Sequence, residues 1–319
     1  MIILLSVILD YLIGDPQNLL HPVQVMGWFI NFLSQFFLNL TQNNLLRRLA
    51  GIFITIILVI GSGLIGWLIV KLAYHLHYIC GIFIETIMLA SCFALKSLKD
   101  AALDVINTLL NDNIEQARIT LSKYVGRDTD QLSETDILRA ILETVSENAT
   151  DGVMSPLFYA ILGAFIPGVG CVPFALAYKA SSTLDSMIGY QHEPFIYLGW
   201  CSAKLEDLLT WFPCRLTVIT LGLISGKIKT VWRLCQRDAI HDPSPNSGWS
   251  ECTYAAILEV QLGGVNFYQG VAKQKPLLGD NINVITPEVI NKALQLTNYG
   301  FLLWVMITLA IFQLYLAKA

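Results

Sequence analysis

The sequence predicts an all-α integral membrane protein, a single polytopic domain over 1–319 with transmembrane helices, re-entrant or interfacial helices and cytoplasmic helical loops. Hydrophobic residues make up 55% of the 319 residues and charged residues only 14%. An ordinary soluble domain carries about 25% charged residues. The apolar residues also gather into long runs, and about twenty of them suffice for a helix to cross a bilayer. Low charge and long apolar runs together indicate a multi-pass membrane protein.

Three apolar runs are predicted to span the membrane: 51–70, 76–95 and 299–316. Arg47 and Arg48 precede the first run, and Lys96 follows the second. Because basic residues mark the cytoplasmic ends of spans, both outer ends of this pair are assigned to the cytoplasm. The N-terminal run 2–13 is too short to cross and is predicted as a retained membrane helix. An amphipathic, Phe-rich stretch at 28–46 is predicted to rest at the membrane interface.

Two further apolar runs, 153–178 and 216–226, are predicted to dip into the membrane and return. Pro167 and Gly168 interrupt the first run, and the second has too few residues to span. Irregular backbone at membrane depth is tolerated where protein or a water-filled cavity covers it. If both runs are re-entrant, the cytoplasm receives all the polar loops, which are 96–151, 179–215 and 227–297. A kinked single crossing at 153–178 is the alternative, and it would separate these loops.

Charge and cysteine content exclude several classes of protein. The net charge is −4 and no Lys/Arg-rich run is present, so nothing in the sequence indicates a nucleic-acid partner. The seven cysteines are scattered without a CxxC pair. That pattern argues against a disulfide framework and against a zinc site.

A ladder of acids precedes the apolar run at 153–178. Glu143, Glu147 and Asp151 are four residues apart, so on one helix their carboxylates would share a face. Like charges at this spacing repel each other unless a cation or a cationic ligand binds between them. The ladder is therefore interpreted as a divalent-cation or substrate site, and the alternative is a solvated helix face.

Other polar loops also combine acids with a cation, namely Lys179 with Asp185 and Asp207 with Arg215. Carboxylates with Lys and Arg suit phosphoryl transfer, in which Mg²⁺ binds hard oxygen ligands and cations neutralise the transferred phosphate. No Walker A motif is present, because 222–227 lacks its spacing and the Ser or Thr that follows the lysine.

Two turn-forming segments are further candidates. Ser244, Asn246 and Ser247 lie in a tight turn whose backbone N–H groups and hydroxyls could hold a phosphate, or which is simply a surface turn. Near the N-terminus, Asp15 and His21 are either an acid/base pair or a turn stabilised by its own side chains.

The chain resembles the adenosylcobinamide-phosphate synthase family of cobalamin biosynthesis (CobD/CbiB) almost from end to end. The resemblance is carried by DYLIGDPQNLLHPVQVMG at 10–27, ETVSENATDGVMSPLFY at 143–159, YKASSTLDSMIGY at 178–190, AKLEDLLTWFPCRLT at 203–217, HDPSPNSGW at 241–249 and LGGVNFYQG at 262–270. The sequence departs from the family pattern at three positions, Ser182, Glu206 and Thr210, where the family usually has Asn, Asp and Asn.

The resemblance implies an enzyme of the inner or plasma membrane whose active site faces the cytoplasm. It would be a ligase that joins adenosylcobyric acid to (R)-1-amino-2-propanol or its phosphate through an amide bond, with ATP as co-substrate and Mg²⁺ as cofactor. An acyl phosphate of the corrin propionate is the expected intermediate. Besides the corrinoid, the amine, ATP and the lipid bilayer, other membrane enzymes of corrinoid assembly are expected partners.

The site residues implied by the resemblance fall into three sets. The catalytic set is Glu143, Glu147, Asp151, Lys179, Asp185 and His21. The substrate- or phosphate-binding set is Asn148, Arg215, Ser244, Asn246, Ser247 and Asp15. The metal set is Glu143, Glu147, Asp151 and Asp207.

Two other functions are compatible with a chain of this composition. A secondary transporter also combines intramembrane acids with broken helices, but the chain shows few full spans and no inverted repeat. A non-catalytic scaffold for corrinoid enzymes is the second alternative, and the density of polar motifs argues against it.

Overall fold

A computed structural model describes residues 1–14, 21–111 and 113–316. The helices are α1 Ile2–Ile13, α2 Pro22–Leu40, α3 Asn44–Leu76, α4 Tyr78–Ala90, α5 Leu95–Leu110, α6 Ile114–Leu121, α7 Glu134–Asn148, α8 Ser155–Ala164, α9 Cys171–Ile188, α10 Trp200–Ile224, α11 Ile228–Asp238, α12 Ser247–Leu258 and α13 Pro287–Leu316. A π-helical turn, Ala149–Met154, joins α7 to α8, and a 3₁₀ turn, Ala239–His241, follows α11. The strands are β1 Leu262–Tyr268 and β2 Val271–Leu278.

Four segments are long and apolar enough to cross a membrane, which confirms the predicted fold class: Asn44–Leu76, Tyr78–Leu110, Trp200–Ile224 and Pro287–Leu314. The first begins where the Asn43 side chain accepts hydrogen bonds from the N–H groups of Leu45 and Leu46. Such a cap satisfies N–H groups that have no partner within the helix. The apolar run that follows then supplies the lipid-exposed surface.

The two runs predicted to be re-entrant do not coincide with single helices of the structure. The run 216–226 is not an isolated short segment but the C-terminal part of α10, which is 25 residues long. Pro213 and Arg215 interrupt the apolar pattern and hide this continuity in the sequence. The run 153–178 is divided between α8 and α9, and the break coincides with the Pro- and Gly-rich residues that the sequence singled out.

The chain divides into two compact units: unit 1 comprises Met1–Lys96, Ser155–Thr210 and Ile307–Ala319, and unit 2 comprises Ser97–Met154 and Trp211–Met306. In unit 1, α3 packs closely on α9. A Cβ at Gly63 would lie 3.0 Å from the Pro173 carbonyl oxygen, and one at Gly66 would lie 2.6 Å from a Leu176 methyl group. These glycines therefore allow the two helices to approach each other.

An apolar cluster joins three helices and a loop of unit 1: Ile30 of α2, Ala50, Ile54 and Leu58 of α3, Leu184 and Ile188 of α9, and Leu198. Elsewhere in unit 1, Glu85 of α4 is a buried acid with 7% of its surface exposed. The Tyr74 hydroxyl donates to its carboxylate at 2.8 Å. A buried acid with hydrogen-bond donors keeps a structural role without demanding a ligand.

Unit 2 contains an antiparallel hairpin, β1–β2, that the all-α interpretation had not foreseen. Gln269 and Gly270 form its turn, and both have positive φ (51° and 78°). Turns of this kind match the right-handed twist of paired strands. The Asp128 carboxylate accepts hydrogen bonds from the N–H groups of Gln269 and Gly270 at 3.0 and 2.7 Å. The loop before α7 thereby holds the tip of the hairpin.

Candidate functional site

Glu143 of α7 is the centre of a buried charge cluster in unit 2, and only 1% of its surface is exposed. Arg127 forms an ion pair with its Oε2 atom. Arg139 approaches Oε1 at 3.3 Å, and the N–H of Gly263 donates to the same oxygen at 2.9 Å. The Oε1 atom of Glu143 therefore accepts hydrogen bonds from a cationic and an amide donor, while Oε2 has the Arg127 guanidinium as its ion-pair partner.

Local sequence explains why Glu143 lies inside the protein. Ser133 caps α7 by accepting from the Asp136 N–H at 3.2 Å. The apolar face of α7 is buried through Ile137, Leu138, Ile141, Leu142 and Val145. Arg139 lies one turn before Glu143 and also bonds Asp136 at 3.1 Å. Because α7 is buried on its apolar face, the ion-paired Glu143 on the same helix is buried as well.

Gly263 connects the hairpin to this cluster. The ladder shifts register between Leu262 and Gly264, so Gly263 lies opposite a bulge in which β2 has one extra residue. Its φ is +87°, and a Cβ there would lie 1.9 Å from the Pro276 carbonyl oxygen. Only glycine fits this backbone and this space. The bulge directs the Gly263 N–H at Glu143 and its carbonyl at Arg139.

A second contact between an acid and a basic residue belongs to the same cluster. Lys275 of β2 donates to Glu251 of α12 at 2.9 Å, and Glu251 is fully buried. Its Oε2 atom has no hydrogen-bond partner among the described residues. Burial raises the pKa of Glu251 to about 8, although the charge of Lys275 opposes the shift. A buried carboxyl with this pKa retains its proton near neutral pH.

Glu147 lies one turn after Glu143 and is half-buried. Burial raises the pKa of its carboxyl; Lys275 opposes the shift, and the nearby charges of Asp242 and Glu143 add to it. The pKa of Lys275 is raised, because the charges of Glu251, Glu147 and Glu143 outweigh the effect of its burial. Electrostatic coupling thus joins Glu147 and the Lys275–Glu251 pair to Glu143.

The π-helical turn Ala149–Met154 changes the predicted ladder of acids. Glu143 and Glu147 keep the four-residue spacing of α7, but Asp151 lies in the wider turn, where that spacing no longer stacks side chains. Asp151 instead lies near Cys214, close enough for its charge to act on the thiol. The predicted three-acid face therefore ends at Glu147.

The predicted phosphate-binding turn is ordered by its own side chains. Asp242 accepts from the Ser244 N–H at 2.9 Å and from the Ser247 hydroxyl at 3.4 Å. The Ser244 hydroxyl accepts from the N–H groups of Asn246 and Ser247. Two of the N–H groups expected to hold a phosphate are therefore directed at Ser244, while the Oδ2 atom of Asp242 has no hydrogen-bond partner among the described residues.

Arg215 of α10 meets this turn in unit 2. Its Nη1 donates to the Asn246 Oδ1 at 3.0 Å. The guanidinium lies 5.0 Å from the ring centre of Trp211 and 4.7 Å from that of Trp249. Contact with aromatic faces holds a cation in place without neutralising its charge. Arg215 thus lies beside the turn that contains Ser244, Asn246 and Ser247, whereas the sequence had paired it with Asp207.

The remaining predicted residues are placed elsewhere. Lys179 and Asp185 lie on α9 of unit 1, both half-buried. Asp207, also in unit 1, is 3.3 Å from Lys204. The His21 ring accepts from the Val23 N–H and caps α2, which corresponds to the self-stabilised turn among the two interpretations of this residue. Asn148 is exposed and donates to the Thr144 carbonyl.

The predicted metal set is divided between the two units. Glu143, Glu147 and Asp151 belong to unit 2 and Asp207 to unit 1. Within the described residues, no three Asp, Glu, His or Cys side chains are arranged to hold a metal ion. Asp15 lies outside the described residues.

Sequence reasoning missed Arg127, Asp242, Glu251 and Lys275 as members of the cluster. Asp242 belongs to the HDPSPNSGW motif but was passed over for its Ser and Asn residues, and the other three lie outside the acid ladder, so that only the tertiary fold brings them to Glu143 and Glu147. One signal was available: Gln269-Gly270 between two strand-like runs is a hairpin pattern. It would have placed 262–278 in a hairpin and so directed attention to Lys275.

Comparison with known proteins identifies relatives over nearly the full length. The family model described as CobD/Cbib protein matches residues 3–297. The cobalamin biosynthesis protein CobD of Synechocystis sp. is 51% identical over 306 residues, covering 96% of this chain and 90% of that protein. CobD of Halalkalibacterium halodurans is 37% identical over 308 residues, covering 94% and 93%. CbiB of Salmonella typhimurium is 36% identical over 315 residues, covering 98% and 95%. No solved structure matches the chain.

Proposed function

Because the chain belongs to the CobD/CbiB family of cobalamin biosynthesis proteins, we propose that it is a membrane ligase that joins a corrinoid carboxylate to an aminoalkanol. Its role in cobalamin biosynthesis follows from the family. The proposed substrates are adenosylcobyric acid and (R)-1-amino-2-propanol or its phosphate, and ATP is the proposed co-substrate. The product is an amide, adenosylcobinamide or its phosphate.

The observation that carries the proposal is the charge cluster of unit 2. Membership in the family does not by itself distinguish a ligase from a scaffold. A scaffold has no need for Glu251, a buried acid with an unpartnered oxygen, beside the half-buried Glu147. Perturbed acids that cluster with buried cations are typical of catalytic sites, because burial of charge is costly unless it serves chemistry or is fully paired.

Amide formation needs an activated carboxylate. In the proposed reaction a carboxylate oxygen of the corrin propionate attacks the γ-phosphorus of ATP, forming an acyl phosphate and releasing ADP. The amine nitrogen then attacks the acyl carbon, the C–O bond to phosphate breaks, and the amine loses a proton. Most of the rate would come from positioning and from charge stabilisation of the phosphate.

Residues of unit 2 suit these needs. Arg215, with the Ser244–Ser247 turn beside it, would neutralise the transferred phosphate. Glu147 is half-buried and would face the ammonium group of the amine and accept its proton. Glu143 is already paired with two arginines, and in this arrangement it positions Arg127 and Arg139 instead of binding substrate. Asp151 and Asn148 keep their proposed roles in substrate binding.

The donors around Glu147 also fit Mg²⁺. Mg²⁺ is usually held by one or two carboxylates together with phosphate oxygens, not by an all-protein cage. Asp242 has a buried oxygen without a hydrogen-bond partner in the described part of the chain, and its charge acts on Glu147. As the alternative to the ammonium contact, Glu147 would hold the ion together with Asp242, and bound Mg²⁺ would supply positive charge against the phosphate oxygens.

The residues proposed in unit 1 have separate roles. Lys179 would neutralise phosphate, and Asp185 and Asp207 would contribute to metal or ammonium binding. His21, with Asp15, would act as acid/base or in ordering the turn, and its capping contact favours the second role. We further propose that the site faces the cytoplasm, where ATP is available, and that other membrane enzymes of corrinoid assembly are partners.

The proposal is tested with detergent-solubilised protein supplied with adenosylcobyric acid, ATP, Mg²⁺ and aminopropanol or its phosphate. We expect amide product only when all components are present, with ATP consumed as product forms. Omission of one component at a time is the control. No product from folded protein that binds corrinoid would favour the scaffold, and corrinoid flux into sealed vesicles without ATP turnover would favour a transporter.

A further inference from the structure

Helix α2 has three distinct faces and no charged residue in its 19 positions. One face is buried in unit 1 through Met26, Ile30 and Ser34. Ile30 belongs to the apolar cluster that also holds Ile54 and Leu184. This face fixes the rotation of α2 about its axis, so the other two faces have defined directions.

The second face is apolar and exposed. Large side chains recur along it with helical spacing, and more than half of the surface of each is accessible: Trp28 63%, Phe29 54%, Phe32 66%, Phe36 52% and Leu40 65%. Five large apolar side chains side by side exceed the isolated exposed residues that a water-facing surface normally carries. An apolar face of this size requires a partner that shields it from water.

The third face is polar and exposed. Asn31, Gln35 and Asn39 follow each other at four-residue spacing, so their amides lie along one side of the C-terminal half of the helix. A helix of this length is about 28 Å long and could cross a bilayer by length alone. The three exposed amides, which begin at the middle of the helix, would then lie in hydrocarbon, where unsatisfied polar groups are costly.

From these faces we infer that α2 lies in the plane of the membrane interface, a lipid-binding element in addition to the four candidate spans. Its apolar face rests on the acyl chains and its amide face on the headgroups and water. Trp28 lies at the border of the two faces, the level that indoles favour at membrane surfaces. Amphipathic helices of this kind enter the headgroup boundary to a depth of about 5–10 Å.

The residues that follow α2 in the sequence favour lipid as the partner of its apolar face. Candidate span α3 begins only a few residues after α2 ends, and Arg48 stands near its start, stacked on the Trp200 ring at 3.7 Å. A basic residue and an indole together mark a membrane–water boundary. α2 therefore ends at the boundary level. A second copy of the chain could also cover the aromatic face, but would leave the adjoining amide stripe without a role.

Fluorescence quenching in lipid vesicles tests the inference. The reconstituted protein and the Trp28→Phe variant are compared in lipid brominated near the headgroup end or near the methyl end of the acyl chain. The fluorescence that the variant lacks belongs to Trp28. We expect bromine near the headgroup to quench it about twofold more than bromine near the chain end. Stronger quenching by the deep bromine, or no quenching by either lipid, would overturn the inference.

A pair of lysine variants gives an independent test. Phe32→Lys places a charge on the lipid face, and Gln35→Lys places the same charge on the amide face of the same helix. In lipid nanodiscs we expect Phe32→Lys to lower the melting temperature and Gln35→Lys to leave it within about one degree, because only the first charge meets acyl chains. Equal effects of the two variants, whether large or absent, would contradict the inferred orientation.

Discussion

At the level of single residues, Glu143 depends on both of its arginines. The side chains of Arg127 and Glu143 are 7% and 1% exposed, so their ion pair is almost fully desolvated. Removing one partner of such a pair leaves a buried charge that is no longer compensated. The cluster is therefore expected to respond far more strongly to mutation than the exposed ion pairs of the same unit.

We predict that Arg127→Ala lowers the free energy of unfolding by about 3 kcal/mol, since Glu143 and Asn266 both lose a donor. Glu115→Ala removes an exposed ion pair with Arg118 and should lower it by less than about 1 kcal/mol. Unfolding in mixed detergent micelles measures both. Equal losses in the two variants would show that the Glu143 cluster is not a buried, interdependent unit.

Glu251 gives the protein a pH dependence with a defined sign. Burial raises its pKa from the ordinary 4.5 to about 8, so the folded protein keeps a proton that the unfolded chain releases. The stability linked to this proton is fully present below the unfolded pKa and is lost as pH rises towards 8. Glu251→Gln cannot titrate in this range.

We therefore predict that wild-type protein loses unfolding free energy relative to Glu251→Gln as the pH is raised from about 5 to 8. Parallel unfolding curves across this range measure the difference. A difference that grows in favour of wild type as pH rises would mean that the Lys275 ion pair, and not burial, sets the protonation of Glu251.

At the level of elements, the β1–β2 hairpin brings Lys275 and Gly263 to α7 and α12. The position opposite its bulge accepts only glycine, because Gly263 has φ +87° and no room for a Cβ beside Pro276. Gly126, in the loop before α7, has open space around its Cα and no positive φ. The two glycines thus form a matched pair for substitution.

Gly263→Ala is predicted to lower the free energy of unfolding by about 3 kcal/mol, from backbone strain together with displacement of the Glu143 contact. Gly126→Ala should change it by less than about 1 kcal/mol in either direction. Thermal unfolding in detergent compares the two. A tolerant Gly263→Ala variant would show that the bulge is not fixed by its contact with Glu143.

Periodicity in the sequence predicted much of the helical structure but not the hairpin. The runs 51–70 and 299–316 fall within α3 and α13, because long apolar runs leave few alternatives to a membrane helix. Arg215 misled the interpretation of α10, since its contacts with Trp211 and Trp249 are invisible in sequence. The hairpin was missed because its strands lack a simple alternation and its second strand is mostly exposed.

The sequence indicated only some residues of the candidate site, namely those that lie in dense polar motifs. Arg215 and Asn246 were both singled out as candidates, since each belongs to a dense polar motif, and their contact is a finding of the structure. Lys275 and Arg127 lie outside the motifs that were singled out and reach the acids only through β2 and the loop before α7. Asp151 does not share a face with Glu143 and Glu147 because it lies in a π-helical turn, and composition does not predict such a turn.

At the level of the whole molecule, one hydrogen bond constrains the membrane topology. Glu143 and Gly263 are bonded at 2.9 Å, although Trp200–Ile224 separates them in sequence. Both residues must lie on the same side of the membrane, so the chain between them crosses an even number of times. If α10 crosses, a second crossing falls within 149–199. If it does not, α10 is re-entrant.

We predict that Lys123→Cys, before α7, and Lys273→Cys, in the hairpin, react with a membrane-impermeant maleimide from the same side. Both positions are exposed, whereas the native cysteines are buried or half-buried, so unsubstituted protein serves as the blank. With the proposed cytoplasmic site, both should react in inverted vesicles and neither in intact cells. Labelling from opposite sides would contradict the Glu143–Gly263 contact.

The central claim is that the charge cluster around Glu147 performs ATP-dependent amide formation, and the turnover of Glu147→Gln tests it most directly. Glu134→Gln is the matched control, since it makes the same substitution at the exposed first residue of the same helix. The account predicts that Glu147→Gln lowers kcat for amide formation about 100-fold while corrinoid still binds, and that Glu134→Gln stays within about twofold of wild type. Wild-type turnover in Glu147→Gln would contradict the account and place the reaction elsewhere in the protein.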